Sequence, residues 1–122
     1  MSTAFRASRD VIIRTPNLEA TTRFYETVLQ LPLINRSETL VCFDAGAFRL
    51  YLEAGPSHGP VFDFLVPELA TAKQELVKAG CVVIEDNPAV PRCYIGDPHG
   101  MVFNIAQAQL SNGPPGSRVN HR

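Results

Sequence analysis

Few residues in this chain have side chains suited to chemistry by themselves. His58 sits within Gly55-Pro56-Ser57-His58-Gly59-Pro60, a linker-like stretch from which it could reach a cleft mouth as an acid or base. No carboxylate adjacent in sequence orients it, so a bystander role competes with a catalytic one. His99 occupies a turn and His121 lies in the C-terminal SNGPPGSRVNHR segment, and both are expected to be exposed and idle. Cys42, Cys81 and Cys93 are odd in number and too far apart for a CxxC pair, which reads as reduced, small core residues. No G-x-S-x-G, Walker or dinucleotide motif is present, since Gly46, Gly55 and Gly59 do not lead from a strand into a helix.

Any site must then be assembled from scattered polar residues by the surrounding elements. The clearest of these is Arg92 to Ala106. There Cys93-Tyr94-Ile95 and the run from Met101 flank Asp97-Pro98-His99-Gly100, which has the composition of a type I turn and predicts a β-hairpin. Near the other end, 10–15 is a β-branched strand stopped by Pro16. Asn17 then caps a helix with Glu19 in its first turn and Leu18, Thr22, Tyr25, Val28 and Leu29 at helical spacing, ending before Pro32.

Three short strands are expected over 33–36, 39–44 and 48–53. After the 55–60 linker come a strand over 61–66, a helix opening at Pro67 with Leu69, Ala72, Leu76 and Ala79 on one face and Gly80 just past its end, and a strand over 81–85. Residues 1–9 show no periodicity and are expected as a flexible or strand-swapped arm, and 111–122 as a flexible tail. The same order of elements occurs twice at a nearly constant offset. Leu18 corresponds to Leu69 and Tyr25 to Leu76, while Asp44 corresponds to Asp97 and Phe48 to Met101.

At 122 residues the chain makes one domain, taken as 1–110 with modules at about 10–54 and 61–107. Eleven Lys and Arg against 12 Asp and Glu give no electrostatic case for nucleic acid or an anionic membrane, which leaves a small organic ligand or a protein as partner. No apolar run approaches the roughly 20 residues of a membrane span, and Arg6, Arg9 and Asp10 interrupt any signal-like segment, so a cytoplasmic location is expected.

Strand 11–15 running into the capped helix with its Phe24-Tyr25 pair, Leu31-Pro32-Leu33 at its end, and the closing hairpin together resemble the vicinal oxygen chelate superfamily of glyoxalases, bleomycin-resistance proteins and extradiol dioxygenases. The resemblance spans about residues 10–107. It implies an α+β fold of two βαβββ modules whose strands curl around a cleft; a ferredoxin-like sandwich is the alternative. It also implies a homodimer, with or without exchange of modules.

In metal-dependent members the ligands come from the first and last strand of each module, and those four places hold Asp10, Tyr51, Val61 and Asn104 here. One carboxylate with a phenol, an amide and an isopropyl group cannot replace the water shell of a divalent ion, so no metal and no cofactor are expected. A shifted oxygen cluster of Asp10, Glu53 and Asp63 with His58 is the alternative.

Strand alternation extends the implied cleft lining. The first strand contributes Asp10, Ile12 and Arg14, and the fourth Tyr51 and Glu53. The second module contributes Val61, Asp63 and Leu65, then Arg92 and Tyr94, then Val102 and Asn104. Such a mixture can bury an organic body and fix its polar groups. The bland alternative is that Arg14 or Arg92 pairs with Asp10 or Asp63 and merely closes the barrel. The expected function is metal-independent binding of a small molecule, similar to the bleomycin-resistance branch. The alternative is a lyase, isomerase or dioxygenase of glyoxalase type, using a shifted metal site or Tyr51, Tyr94 and Asp63 as acid and base, and a third possibility is a dimeric interaction module.

Overall fold

The computed structural model describes residues 4–89 and 92–108. The expected tail at 111–122 and the first three residues of the expected arm fall outside them. The first module contains β1 (Arg6–Thr15), α1 (Leu18–Arg23) continued by a π-helical turn (Phe24–Val28), β2 (Leu33–Arg36), β3 (Leu40–Asp44) and β4 (Arg49–Ala54). The second contains β5 (His58–Val66), α2 (Leu69–Lys78), β6 (Val82–Asn87), β7 (Arg92–Gly96) and β8 (Val102–Gln107). This is the α+β pair of βαβββ modules expected from the sequence.

All eight strands form one sheet in the order β2-β3-β4-β1-β5-β8-β7-β6. The modules are related element by element. In each, the first strand pairs in parallel with the last, β1 with β4 and β5 with β8, and the modules join through the antiparallel β1–β5 pair. The sheet curls strongly without closing. Arg14 of β1 reaches Glu85 of β6, four strand positions away, at 2.9 Å; in a flat sheet that separation is about 19 Å.

One face of the curl carries the helices and the other lines the cleft. Val41, Phe43, Leu50 and Leu52 pack against Leu18, Tyr25 and Leu31 under α1, and Val66, Ala72, Cys93, Ile95 and Ile105 form the matching core under α2. The intervening residues of the same strands face the cleft, as a period of two requires.

Local chemistry explains the boundaries. Asn17 Oδ1 accepts from the Ala20 amide and starts α1. The widening of the helix from Phe24 onward turns Val28 and Leu29 outward, so these two residues, expected on the buried face, are exposed. The second helix opens at Leu69, two residues after the expected Pro67, because the Gln107 side chain of β8 accepts from the Leu69 amide. Gly80 follows α2 with φ +103°. In the final hairpin the Asp97 carboxylate accepts from the His99 and Met101 amides and fixes the turn as expected.

Two further expectations are corrected. Arg6 to Arg9 belong to β1 and not to a flexible arm, since Arg6 and Ala7 lie opposite Leu65 and Phe64 of β5. His58, Gly59 and Pro60 belong to β5 and not to a linker. At Gly59, φ is +111° and a Cβ would stand 2.8 Å from the Ile12 carbonyl oxygen, so only glycine allows this close crossing of β1.

Candidate functional site

The cleft is crossed by a chain of four charges. Arg14 donates to both oxygens of Glu85 at 2.9 and 3.0 Å, and its Nε lies 3.5 Å from Glu53 Oε1. Arg92 Nη2 donates to the same Glu53 oxygen at 3.0 Å. Two cations face two carboxylates, so the chain Glu85–Arg14–Glu53–Arg92 is neutral and ties β4 and β1 of one module to β7 and β6 of the other. Hydrogen bonding to Arg14 holds the Glu85 carboxyl below its ordinary range. The expected pairings of Arg14 or Arg92 with Asp10 or Asp63 are corrected to Glu53 and Glu85, because the curl places those two carboxylates opposite the guanidinium groups.

This chain of charges divides the cleft into two chambers. The inner one, about 270 Å³, has Asp10, Ile12, Tyr51, Asp63, Arg92 and Asn104 on its walls, together with Leu40 and Ala106. The outer one, about 230 Å³, is walled by Arg14, His58, Ile84, Glu85, Tyr94 and Val102, with Pro56 and Ser57 at its rim. Val61 packs with Ile12 and Tyr94 beneath both. Leu65 borders neither chamber.

In the inner chamber Asp63 is 7% exposed and Asn104 2%. Asn104 Nδ2 donates to Asp63 Oδ1 at 2.8 Å, its Oδ1 accepts from the Cys93 amide, and Ser8 Oγ donates to Asp63 Oδ2. Burial raises the Asp63 carboxyl above its ordinary range, and the hydrogen bonds from Asn104 and Ser8 only partly offset this. Asp10 pairs with Arg49 at 2.8 Å. Burial, reinforced by Asp10, pushes Tyr51 up to about 12, so its phenol stays protonated at neutral pH.

Two buried groups in this cleft have no partner within the described residues: Arg92 Nε and the Tyr94 hydroxyl. Tyr94 is 2% exposed. The Arg14 guanidinium lies 4.8 Å above its ring and the His58 ring 5.8 Å away. A buried donor without an acceptor costs about 1–3 kcal/mol, so an acceptor brought by a bound molecule has free energy to recover.

The four places that would hold a metal in this architecture do not suit one. Asp10 is neutralised by Arg49, Tyr51 keeps its proton, Val61 has no donor atom, and both ends of the Asn104 amide are engaged. The shifted set does not assemble either: Asp10, Glu53 and Asp63 are each held by different partners, and His58 stands beside Tyr94 in the outer chamber. Among the described residues no three His, Cys, Asp or Glu side chains come together as a metal site.

A family model described as a glyoxalase-like domain matches residues 10–106. The chain belongs to the glyoxalase-like domain family. Solved structures share this glyoxalase-like fold at low identity. They include a hypothetical protein from Bacillus halodurans, at 11% identity over 91% of this chain and 99% of that one, with a TM-score of 0.67. Homoprotocatechuate 2,3-dioxygenase from Brevibacterium fuscum, in complex with 3,4-dihydroxyphenylacetate, has 18% identity and a TM-score of 0.66 over 97% of this chain and 41% of that one. An NAD-dependent benzaldehyde dehydrogenase from Legionella pneumophila has 19% identity over 82% of this chain and 98% of that one, with a TM-score of 0.65. The chain spans about two-fifths of the dioxygenase, and no curated protein matches it. These likenesses are of fold, and with the family match they agree with the resemblance to the vicinal oxygen chelate superfamily expected from the sequence.

Reasoning from sequence alone missed Ser8, Leu40, Arg49, Glu85 and Ala106. Arg49 had a signal: the parallel pairing of β1 with β4 sets it opposite Asp10. Glu85 had none, because its position against Arg14 depends on the curl of the whole sheet. Among the described residues no helix is long and apolar enough to cross a membrane.

Proposed function

We propose that this glyoxalase-like protein binds a small organic molecule in the cleft without a metal ion, in the manner of the bleomycin-resistance branch. The observation that carries this reading is the pair of buried, unpartnered groups on β7, Arg92 Nε and the Tyr94 hydroxyl, beside chambers that are otherwise apolar-walled or internally paired. Ile12, Val61 and Val102 would cover the body of the ligand, and Arg92 and Tyr94 would fix its polar atoms. The unsuitable donor set at the four metal places supports metal independence.

The proposal includes a homodimer. Phe62, Val82, Ile84 and Met101 are large apolar residues left exposed, and sedimentation of the full chain tests it. It includes a cytoplasmic location, which the free thiols of Cys42, Cys81 and Cys93 support.

The test is a thermal-unfolding screen of small organic compounds in chelator-containing buffer, run on the wild type and Tyr94→Phe. Unliganded Tyr94→Phe should melt at or above the wild-type midpoint, because the lost hydroxyl has no partner, while the shift given by a bound compound falls. A Tyr94→Phe protein that melts lower without ligand, or a screen in which nothing raises the midpoint, would contradict the proposal.

One observation favours a second reading. Asp63 is a buried carboxylate with no cation paired to it among the described residues, and it shares the inner chamber with Tyr51 and Arg92. A proton-transfer enzyme would use Asp63 as base and Arg92 to polarise a carbonyl. Solvent-deuterium exchange into a bound carbonyl compound, abolished by Asp63→Asn, would favour it.

A further inference from the structure

The outer chamber holds its one exchangeable group at an unusual place. Arg14 is fixed from several sides: Glu53 lies 3.5 Å from its Nε, the Tyr94 ring supports it at 4.8 Å, and its side chain is 17% exposed. Glu85 is not. It stands on β6, at the edge of the sheet and beside a register irregularity between Val83 and Glu85. Its side chain is 33% exposed, and among the described residues its side-chain hydrogen bonds go to Arg14 alone.

A rotation of Glu85 toward solvent would therefore break two bonds, hydrate the carboxylate, and leave the Arg14 fork pointing into a chamber of about 230 Å³. Of the other walls, the Tyr94 ring, Ile84, Val102 and Pro56 are apolar, while Ser57 and His58 are polar. An apolar cavity of about 150 Å³ takes up benzene, so a ring with a carboxylate fits the outer chamber once Glu85 has left.

We infer that Glu85 is an internal stand-in for the ligand, and that the cleft takes an organic monocarboxylate whose carboxylate exchanges with Glu85 on Arg14 while its apolar body lies against Tyr94, Ile84 and Val102. This rests on the cleft-binding reading above and adds the chemical class of the ligand. The exchange replaces one bidentate carboxylate–guanidinium pair by another, so no charge is left unpaired, and the displaced Glu85 gains water. A neutral or cationic analogue has no such exchange to make.

The experiment is calorimetric titration of the full chain with benzoate, benzamide and benzylamine, on the wild type, Glu85→Gln, Glu85→Ala and Arg14→Gln. Benzoate should bind about tenfold more tightly to both Glu85 variants, because the internal competitor is gone, and should lose binding in Arg14→Gln. Benzamide and benzylamine should show no such gain. Folding of each variant is read by circular dichroism, and the Glu85 variants decide the matter even where Arg14→Gln does not fold. Benzoate affinity that is unchanged or weaker in both Glu85 variants would overturn the exchange and leave cleft binding standing. Binding of benzamide or benzylamine in preference to benzoate would overturn the carboxylate class and again leave cleft binding standing. No binding of any probe to any variant would overturn the carboxylate exchange, while cleft binding itself is decided by the compound screen above.

Discussion

Removing the Glu53 carboxylate is the sharpest test of how the cleft is held together. Glu53 Oε1 accepts from Arg92 at 3.0 Å and lies 3.5 Å from Arg14, and the side chains of Glu53 and Arg92 are only 18% and 11% exposed. In Glu53→Ala, Arg92 keeps its charge with neither Nε nor Nη2 satisfied by Glu53, while Arg14 retains Glu85. Breaking a fully buried ion pair costs about 3–5 kcal/mol and losing one charged hydrogen bond about 1.5–3 kcal/mol. Partial exposure and the long second contact reduce the total to about 2–4 kcal/mol, a large share of the roughly 5–15 kcal/mol of a typical domain. Glu53→Gln, which keeps an acceptor for Arg92, should cost about half as much. Adding Arg92→Met to Glu53→Ala removes the stranded charge and should recover more than half of the loss. Urea unfolding followed by far-ultraviolet circular dichroism measures the wild type, these three variants and Arg92→Met alone, which closes the cycle. A cost below about 0.5 kcal/mol for Glu53→Ala, or strict additivity in the double variant, would refute the claim that this pair joins the modules.

Further consequences concern the inner chamber and the β1–β5 crossing. Asn104→Ala strands the Cys93 amide and takes a donor from Asp63, and should cost about 2–4 kcal/mol in the same urea assay. The Asp63 carboxyl is raised by burial, so its stabilising contribution is complete below the unfolded carboxyl value and is lost as pH rises through the folded one. Asp63→Asn should accordingly melt above the wild type at pH about 7, with the gap closing toward pH about 3 in thermal scans; the Ser8 hydroxyl can turn to accept from the new amide. Gly59→Ala forces a Cβ against the Ile12 carbonyl at a positive φ and should cost about 2–3 kcal/mol or more.

Those features of the fold that rest on local chemistry were legible in the sequence. The Asp97 turn, the Asn17 cap and the Gly80 helix end follow from nearest-neighbour hydrogen bonding and φ preferences, and the structure has all three. The repeat was legible as well: Leu18 and Leu69, the paired residues of the sequence offset, open α1 and α2. Arg6 to Arg9 were not, because they are a strand only through pairing with β5, and their own alternation is masked by exposure. His58 to Pro60 carry a loop composition yet extend β5, since Gly59 permits a crossing that no other residue would.

The candidate site divides along the same line. Strand alternation was enough to put Asp10, Ile12, Tyr51, Asp63, Arg92 and Asn104 around one chamber. It could not assign Glu85 to Arg14, because that contact joins strands four positions apart and exists only through the global curl. Leu65 has the parity of Val61 and Asp63 but borders neither chamber, although its partner Ala106 on β8 lines the inner one.

The most direct test of metal-independent binding is thermal unfolding of chelator-stripped protein titrated with Mn²⁺, Fe²⁺, Ni²⁺ and Zn²⁺. A resident ion stabilises the native state by RT ln(1 + [L]/Kd), so a genuine site gives a midpoint that rises steadily with ion concentration. The midpoint should stay constant for every ion and rise only with an organic ligand. A concentration-dependent rise with any of these ions, lost in Asp63→Ala or Glu53→Ala, would contradict the account and place a metal in the cleft.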